Sequence, residues 1–287
     1  MYSYLRLGSW VSIALIAGLL YWPGLNGGFH FDDAVNFRGL DRVTDLGSLW
    51  DFIWAGRASS VGRPVAMLSF LPNIADWPTY PEGFLRINLL LHLINILLLA
   101  CLGWQLAKLR KLAPKAALWG SVLLALFWGS LPILASTVLI PVQRMTLLAT
   151  TFGLLSLLVF VIGRNSSPGR VWYWYVLYGL LLLLSFLTKE LAVLIPLLAL
   201  LLEFYFLSPQ SMRVRDWLRG ERFWWTSLPA IMALLVLIVA FYLHAPGYGP
   251  RPFGMMERLL TEPRVLWLYL QMIFLPMSGM YTPFHDG

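Results

Sequence analysis

Seven long runs of mostly apolar residues recur along this chain of 287 residues. Numbered as segments one to seven, they cover 7–22, 84–107, 116–135, 145–163, 171–187, 191–207 and 224–243. A helix needs about 20 apolar residues to cross the hydrocarbon core of a bilayer, and the runs approach or reach that length. A β-barrel would show short alternating segments instead. Only 12% of the residues are charged, whereas soluble domains average about 25%. These observations predict an all-α polytopic membrane protein with about seven transmembrane helices, forming a single membrane domain over 1–287.

Basic clusters between the runs predict the orientation of the chain in the membrane. They lie at 108–115, 164–170 and 213–222. With a cytoplasmic N-terminus, all three clusters fall on the cytoplasmic face, as the positive-inside rule requires. The acidic residues are distributed differently, since seven of the 14 lie between 23 and 83. The sequence therefore predicts that this first long loop, 23–83, is extracytoplasmic. The basic charge is thus explained by topology, and it does not indicate nucleic-acid binding.

Shorter amphipathic stretches complete the predicted architecture. In the first loop, residues 46–54 and 65–74 carry apolar residues at helical spacing, which predicts short helices lying in the membrane interface. An eighth apolar stretch, 265–277, is too short for a typical span. We interpret it as an interfacial or re-entrant part of an outer-face C-terminal segment, 245–287. A true eighth span is the alternative.

An adjacent acidic pair, Asp32 and Asp33, follows segment one at the predicted outer surface. Aspartate is costly near a bilayer, so such a pair indicates a charge partner or a chemical task, although a solvated turn is the alternative. Other isolated polar residues are predicted on the same face, where the positive-inside rule explains none of the cations. They are Arg63, Gln143, Arg144, Lys189, Glu190, Arg251, Arg258 and Arg264. Several cations near two carboxylates indicate a site for an anionic ligand.

Segment two carries a polar stripe of Asn88, His92 and Asn95 at positions i, i+4 and i+7, which places all three on one helix face. Such a stripe serves either interhelical hydrogen bonding or a site. We assign Asn95 to hydrogen bonding between helices and leave both readings open for His92 and Asn88. The four histidines lack the spacing of metal ligands. The acidic pair could hold a divalent cation, but we favour a mechanism without metal.

Five short motifs resemble one family of membrane enzymes. They are Gly-Phe-His-Phe-Asp-Asp-Ala-Val-Asn at 28–36, Gly-Arg-Pro-Val-Ala-Met-Leu-Ser-Phe at 62–70, Asn-Leu-Leu-Leu-His-Leu-Ile-Asn at 88–95, Pro-Val-Gln-Arg-Met at 141–145 and Leu-Thr-Lys-Glu-Leu-Ala-Val at 187–193. In this order they resemble the membrane part of the transmembrane-and-TPR O-mannosyltransferases and, more closely, bacterial TPR-associated membrane proteins. The resemblance covers nearly the whole chain. It implies the GT-C fold of glycosyltransferases that use polyprenyl-phosphate sugars.

The resemblance also implies roles for individual residues. An outer-loop aspartate, Asp32 or Asp33, would be the catalytic base, and the sequence leaves the choice between them open. Arg63, Arg144 and Lys189 would bind the donor phosphate, with Gln143, Glu190, His92 and Asn88 in support. The reaction implied is an inverting sugar transfer to a hydroxyl acceptor on a protein or glycan. No cofactor is implied beyond the lipid-linked donor, and the active site would lie on the periplasmic side of a bacterial inner membrane.

The chain departs from this family at its C-terminal end. No TPR repeats follow the membrane segments, and relatives usually continue with further helices beyond 284–287. The chain is therefore expected to be a fragment or a short version of such a protein. Two other functions stay open: a transporter or flippase of a lipid-linked anion, which would place charges near the membrane midplane, and a non-catalytic membrane scaffold.

Overall fold

The computed structural model describes residues 2–54, 62–166, 171–207 and 254–277, with a few isolated helical residues between 215 and 239. All regular structure within these residues is helical. The α-helices are α1 (Tyr2–Tyr21), α2 (Phe31–Asn36), α3 (Leu46–Trp54), α4 (Pro64–Leu68), α5 (Glu82–Leu109), α6 (Pro114–Gly129), α7 (Ala135–Val138), α8 (Arg144–Arg164), α9 (Val171–Phe186), α10 (Ile195–Leu202) and α11 (Met255–Phe274). Short 3₁₀ turns join several of them, and a π-helical turn, Glu203–Leu207, extends α10.

Four of these helical stretches are long and apolar enough to cross a membrane: Tyr4–Asn26, Glu82–Leu109, Pro141–Arg164 and Glu190–Leu207. A fifth is obtained if Pro114–Gly129 and Pro132–Val138, which meet at 53°, form one broken span. Helix α9 matches predicted segment five but has only 16 residues. Segment seven and the basic cluster at 213–222 fall largely outside the described residues. The all-helical architecture with several candidate membrane spans is thus confirmed, whereas the predicted count of seven spans is not.

Helix α5 is the centre of the bundle, because it packs against α1, α6 and α8, while α9 packs on the far side of α8. Where α1, α5 and α6 meet, the buried residues include the small side chains Ala17, Ala100 and Ala125. Small residues let membrane helices approach closely, which increases dispersion contacts that the lipid cannot supply.

The polar stripe of α5 holds these helices together. The Asn95 amide donates to the carbonyl of Leu147 at 3.0 Å, and the Thr151 hydroxyl donates to the Asn95 side-chain oxygen at 2.8 Å. His92 Nε2 lies 3.0 Å from the carbonyl of Gly129, the last residue of α6. A carbonyl only accepts, so Nε2 carries the proton. The contacts of this stripe are therefore hydrogen bonds between helices, and this holds for His92 as well, for which the sequence left two interpretations open.

The first long loop packs a core of its own onto the ends of α5 and α8. Phe37, Phe70 and Phe84 are fully buried there, and the Phe37 ring lies 4.6 Å from that of Phe70 and 4.9 Å from that of Phe84. The Phe37–Phe70 pair is edge-to-face, an arrangement that adds stability beyond the apolar area that the rings bury. The loop is thus a packed layer over one end of the bundle, which fixes the residues it carries.

Two amphipathic elements sit at the edges of this arrangement. Helix α3 buries Phe52 and exposes Trp50 and Trp54, so the predicted two-faced helix is confirmed and its place in the membrane interface stays a prediction. Helix α11 begins ten residues before the predicted stretch 265–277. It packs against the 3₁₀ turn Pro132–Leu134 and is not among the candidate spans.

Candidate functional site

The acidic pair divides into a buried and an exposed carboxylate. Asp33 is fully buried, and its Oδ2 accepts a hydrogen bond of 2.6 Å from the backbone N–H of His30. Its Oδ1 accepts a second bond, of 2.7 Å, from the backbone N–H of Val142. Asp32 is exposed, and within the described part of the chain its carboxylate has neither a hydrogen bond nor an ion pair.

The position of each residue in α2 explains this division. His30 is the N-cap of α2, and Asp33 is the third helical residue, where a carboxylate can reach back to the N-cap N–H. Asp32 is one position earlier, about 100° around the helix, so its side chain points away from that contact. Burial raises the pKa of Asp33, and its two backbone donors and His30 offset only part of that effect. Asp33 therefore has a structural position, and Asp32 is the carboxylate that is exposed to solvent.

Asp33 joins α2 to the turn Pro141–Gln143, which leads into α8. The next residue after its partner Val142 is Gln143, and this side chain reaches Lys189. Lys189 Nζ lies 2.6 Å from Thr146 Oγ1 and 3.4 Å from Gln143 Oε1. The Thr146 hydroxyl donates to Gln143 Oε1 at 2.6 Å. One turn of chain thus connects the acidic pair to a lysine 156 positions later in the sequence.

Lys189 lies in extended backbone between α9 and the 3₁₀ turn Glu190–Leu194, and it is half-buried. Burial lowers its pKa, the nearby Arg63 lowers it further, and Glu190 raises it in part. A lysine in such a place keeps its charge only if acceptors face it. Thr146 and Gln143 supply two, and within the described residues no acceptor is recorded for the third N–H of the ammonium.

Arg63 and Glu190 form an ion pair beside Lys189. Arg63 Nε lies 3.2 Å from both carboxylate oxygens, and a terminal nitrogen lies 2.8 Å from Oε2. The backbone N–H of Val65 donates to the carbonyl of Leu187 at 3.2 Å, so the start of α4 is bound to the connection after α9. Glu190 thus pairs with Arg63, 127 positions away in the sequence, and its charge also favours the ammonium of the adjacent Lys189.

Arg144 occupies a different environment from the other two cations. It is fully buried, and four protein acceptors surround its guanidinium. They are Asn88 Oδ1 at 3.2 Å, the Ser69 carbonyl at 2.6 Å, Asn73 Oδ1 at 2.8 Å and the Phe84 carbonyl at 3.1 Å. The guanidinium also lies over the Phe70 ring, 4.8 Å from its centroid. This geometry argues against the predicted contact with a donor phosphate, and we reassign Arg144 to holding the first long loop on α5.

Contacts bring six of the predicted residues to one region, and they are Asp32, Asp33, Arg63, Gln143, Lys189 and Glu190. Asn88 is close by but serves Arg144 and the carbonyl of Ile140, to which it donates at 2.9 Å. His92 contacts Tyr21, Trp128 and Gly129 around the break after α6. These contacts hold helices together, and they differ from the predicted role of His92 in supporting the site. Arg264 lies exposed on α11. Arg251 and the side chain of Arg258 lie outside the described residues.

Sequence reasoning missed Thr146 and Asn73. Thr146 is three residues after Gln143, a spacing that puts both on one face at the start of α8. That spacing was a usable signal. Asn73 offered no such signal in the sequence, because its partner Arg144 is 71 positions away.

Metal ligation and similarity to known proteins give no further assignment. In the described ranges, no three His, Cys, Asp or Glu side chains come together in a group that could hold a metal ion. Comparisons of the chain with protein-family models, with curated proteins and with solved structures find no match. The family resemblance therefore rests on the five sequence motifs alone.

Proposed function

We propose that this chain is a membrane-embedded glycosyltransferase of the GT-C type. It moves a sugar from a polyprenyl-phosphate donor to a hydroxyl acceptor. One observation carries the proposal: Asp32 presents an exposed carboxylate that has no hydrogen-bond or ion-pair partner among the described residues. It lies directly beside Asp33, which is bound to the turn that leads to Lys189. A candidate base, Asp32, and a candidate cation, Lys189, are thus linked through α2 and the turn Pro141–Gln143. The transfer of a sugar from a phosphate needs this pair of charges.

The proposed chemistry assigns Asp32 as general base. Asp32 takes the proton of the acceptor hydroxyl while that oxygen bonds to the anomeric carbon. The bond from this carbon to the phosphate oxygen breaks, and its electron pair leaves with the phosphate. One in-line displacement of this kind inverts the anomeric centre. A positioned general base contributes a rate factor of about 10² to 10⁴.

The leaving phosphate gains negative charge as the sugar departs, so a cation there stabilises the transition state more than the ground state. Lys189 is the best candidate, because one N–H of its ammonium is not used by Thr146 or Gln143. Arg63 is the second cation. Its charge is matched by Glu190, while among the described residues the acceptor of one of its terminal nitrogens is the soft sulfur of Met145 at 3.5 Å. A phosphate oxygen would be a stronger acceptor for that nitrogen.

The membrane placement belongs to the same proposal. The N-terminus would be cytoplasmic and the site periplasmic, in a bacterial inner membrane, with the acceptor on a protein or glycan. A helical bundle bordered by lipid offers an apolar path for the polyprenyl chain of the donor.

The direct test reconstitutes the full chain in liposomes with polyprenyl-phosphate mannose, glucose or arabinose and a pool of Ser/Thr peptides and soluble glycans. Mass spectrometry measures the polyprenyl phosphate released and the sugar transferred. We expect transfer from at least one donor, with kcat lowered tenfold or more in Lys189→Ala. Lys111→Ala is the matched control, because Lys111 is exposed in the α5–α6 turn. Transfer that is equal in Lys189→Ala and the control would contradict the role of Lys189. Movement of intact donor across the membrane without release of polyprenyl phosphate would indicate a flippase instead.

A further inference from the structure

Thr146 is the residue that contacts Lys189 most closely. Its Oγ1 accepts from the ammonium at 2.6 Å, and the same hydroxyl donates its proton to Gln143 Oε1 at 2.6 Å. The direct contact between Lys189 and Gln143 is longer, at 3.4 Å. The threonine hydroxyl therefore uses its proton and a lone pair at once, and it holds both side chains in one arrangement.

We propose that Thr146 is a positioning residue, which fixes the ammonium of Lys189 for the phosphate of the donor. The phosphate part of this inference rests on the proposed glycosyl transfer. The contact between Thr146 and Lys189 does not depend on that proposed function. With two N–H groups directed at Thr146 and Gln143, the remaining N–H of Lys189 has a defined direction. Without Thr146, the flexible four-carbon stem of the lysine would be free to turn toward Glu190.

The charged groups around Lys189 predict how its titration responds to loss of the hydroxyl. Arg63, at the start of α4, opposes the ammonium charge, and Glu190 on the following 3₁₀ turn favours it. The two side chains that contact it from the start of α8 and the preceding turn, Thr146 and Gln143, are neutral. Burial and Arg63 already lower the pKa of Lys189, and the Thr146 oxygen opposes that effect by accepting from the charged form. Removing the oxygen should therefore lower the pKa of Lys189 further.

Three variants separate positioning from packing. Thr146→Val keeps the shape of the side chain and removes the hydroxyl, while Thr146→Ser keeps the hydroxyl and should restore the wild-type behaviour. Thr150→Val is the matched control one turn along α8. The Thr150 hydroxyl donates to the backbone carbonyl of Thr146 at 2.8 Å and does not involve Lys189.

The experiment measures acetylation of Lys189 by acetic anhydride as a function of pH, with the product quantified by mass spectrometry of the full chain in detergent. The chain has three other lysines, Lys108, Lys111 and Lys115, all exposed, and they are internal references. We expect the midpoint for Lys189 to move down by about one pH unit in Thr146→Val. Thr146→Ser and Thr150→Val should titrate like the wild type. The alkaline limb of sugar transfer should move by the same amount.

Two results would overturn the inference. Identical acetylation curves for Thr146→Val and the wild type would show that the hydroxyl does not hold the ammonium. Equal shifts in Thr146→Val and Thr146→Ser would assign the effect to packing. The proposed function fails separately, since a shift in acetylation together with no sugar transfer by the wild type would leave the Thr146–Lys189 contact intact and refute the transferase.

Discussion

Replacing Arg144 by methionine is expected to destabilise the protein strongly while leaving affinity for a phosphate donor intact. Methionine keeps most of the apolar stem but none of the donors. The change removes the donors that face four acceptors, on Ser69, Asn73, Phe84 and Asn88, in a buried or partly buried region. Each lost hydrogen bond costs about 1 kcal/mol. Part of this loss of stability is offset, because the variant no longer buries a charge.

The net loss in the free energy of unfolding is therefore about 2 to 4 kcal/mol. For a protein of this size, each kcal/mol lowers the Tm by roughly 2 to 4 °C, which gives a fall of about 5 to 15 °C. Near-UV circular dichroism of the detergent-solubilised protein would follow the melting, because the aromatic cluster of Phe37, Phe70 and Phe84 lies next to the guanidinium.

Arg86→Met is the matched control. Arg86 is on α5, near the same end of the bundle, and its exposed guanidinium pairs with Glu82 one turn earlier. Such exposed pairs on a helix contribute only a few tenths of a kcal/mol, so this variant should melt like the wild type. The reasoning is refuted if Arg144→Met also melts like the wild type but no longer binds the donor. That result would restore Arg144 as a phosphate ligand.

Two further predictions concern packing and pH. Gly163→Ala places a new Cβ against Cβ of Trp174, where α8 and α9 meet. This variant should lower the free energy of unfolding by about 1 to 3 kcal/mol. Gly179→Ala is the control, because the space around Gly179 is open, and it should be neutral or slightly stabilising in the same melting assay. Burial raises the pKa of Asp33, so the folded protein takes up this proton before the unfolded chain does as the pH falls. The contribution of this group to stability should therefore grow as the pH falls from above its raised folded-state pKa towards the ordinary aspartate pKa of about 4. Asp33→Asn should remove this part of the pH dependence of the Tm; an unchanged pH dependence would contradict the reasoning.

Much of the fold could be predicted because bilayer thickness fixes how long an apolar run must be. Segments one, two, four and six recur as the four candidate spans for this reason. Segment three did not remain one helix, because the residue before a proline avoids helical backbone. Pro132 follows Leu131, and α6 ends at Gly129. Pro132 was therefore a usable signal in the sequence, but segment three was predicted from the length of its apolar run alone.

The site was predicted less completely, because its contacts join distant parts of the chain. A lone cation looks the same in sequence whether a phosphate or protein carbonyls surround it. The partners of Arg144 lie 56 to 75 positions earlier, so its burial could not be foreseen. The roles of Asp32 and Asp33 depend on where α2 begins. With His30 as the N-cap, the carboxylate three residues later is the one used for capping.

In the proposed division of roles, Asp32 is the general base and Asp33 holds α2 on the turn Pro141–Gln143. Single-turnover sugar transfer in liposomes, with donor binding and Tm measured on the same variants, tests it most directly. Asp32→Asn should lower the transfer rate by about 10² to 10⁴ with the Tm and donor binding unchanged. Asp51→Asn, which alters an exposed carboxylate on α3 in the same loop, should transfer like the wild type. A wild-type rate in Asp32→Asn would contradict the claim.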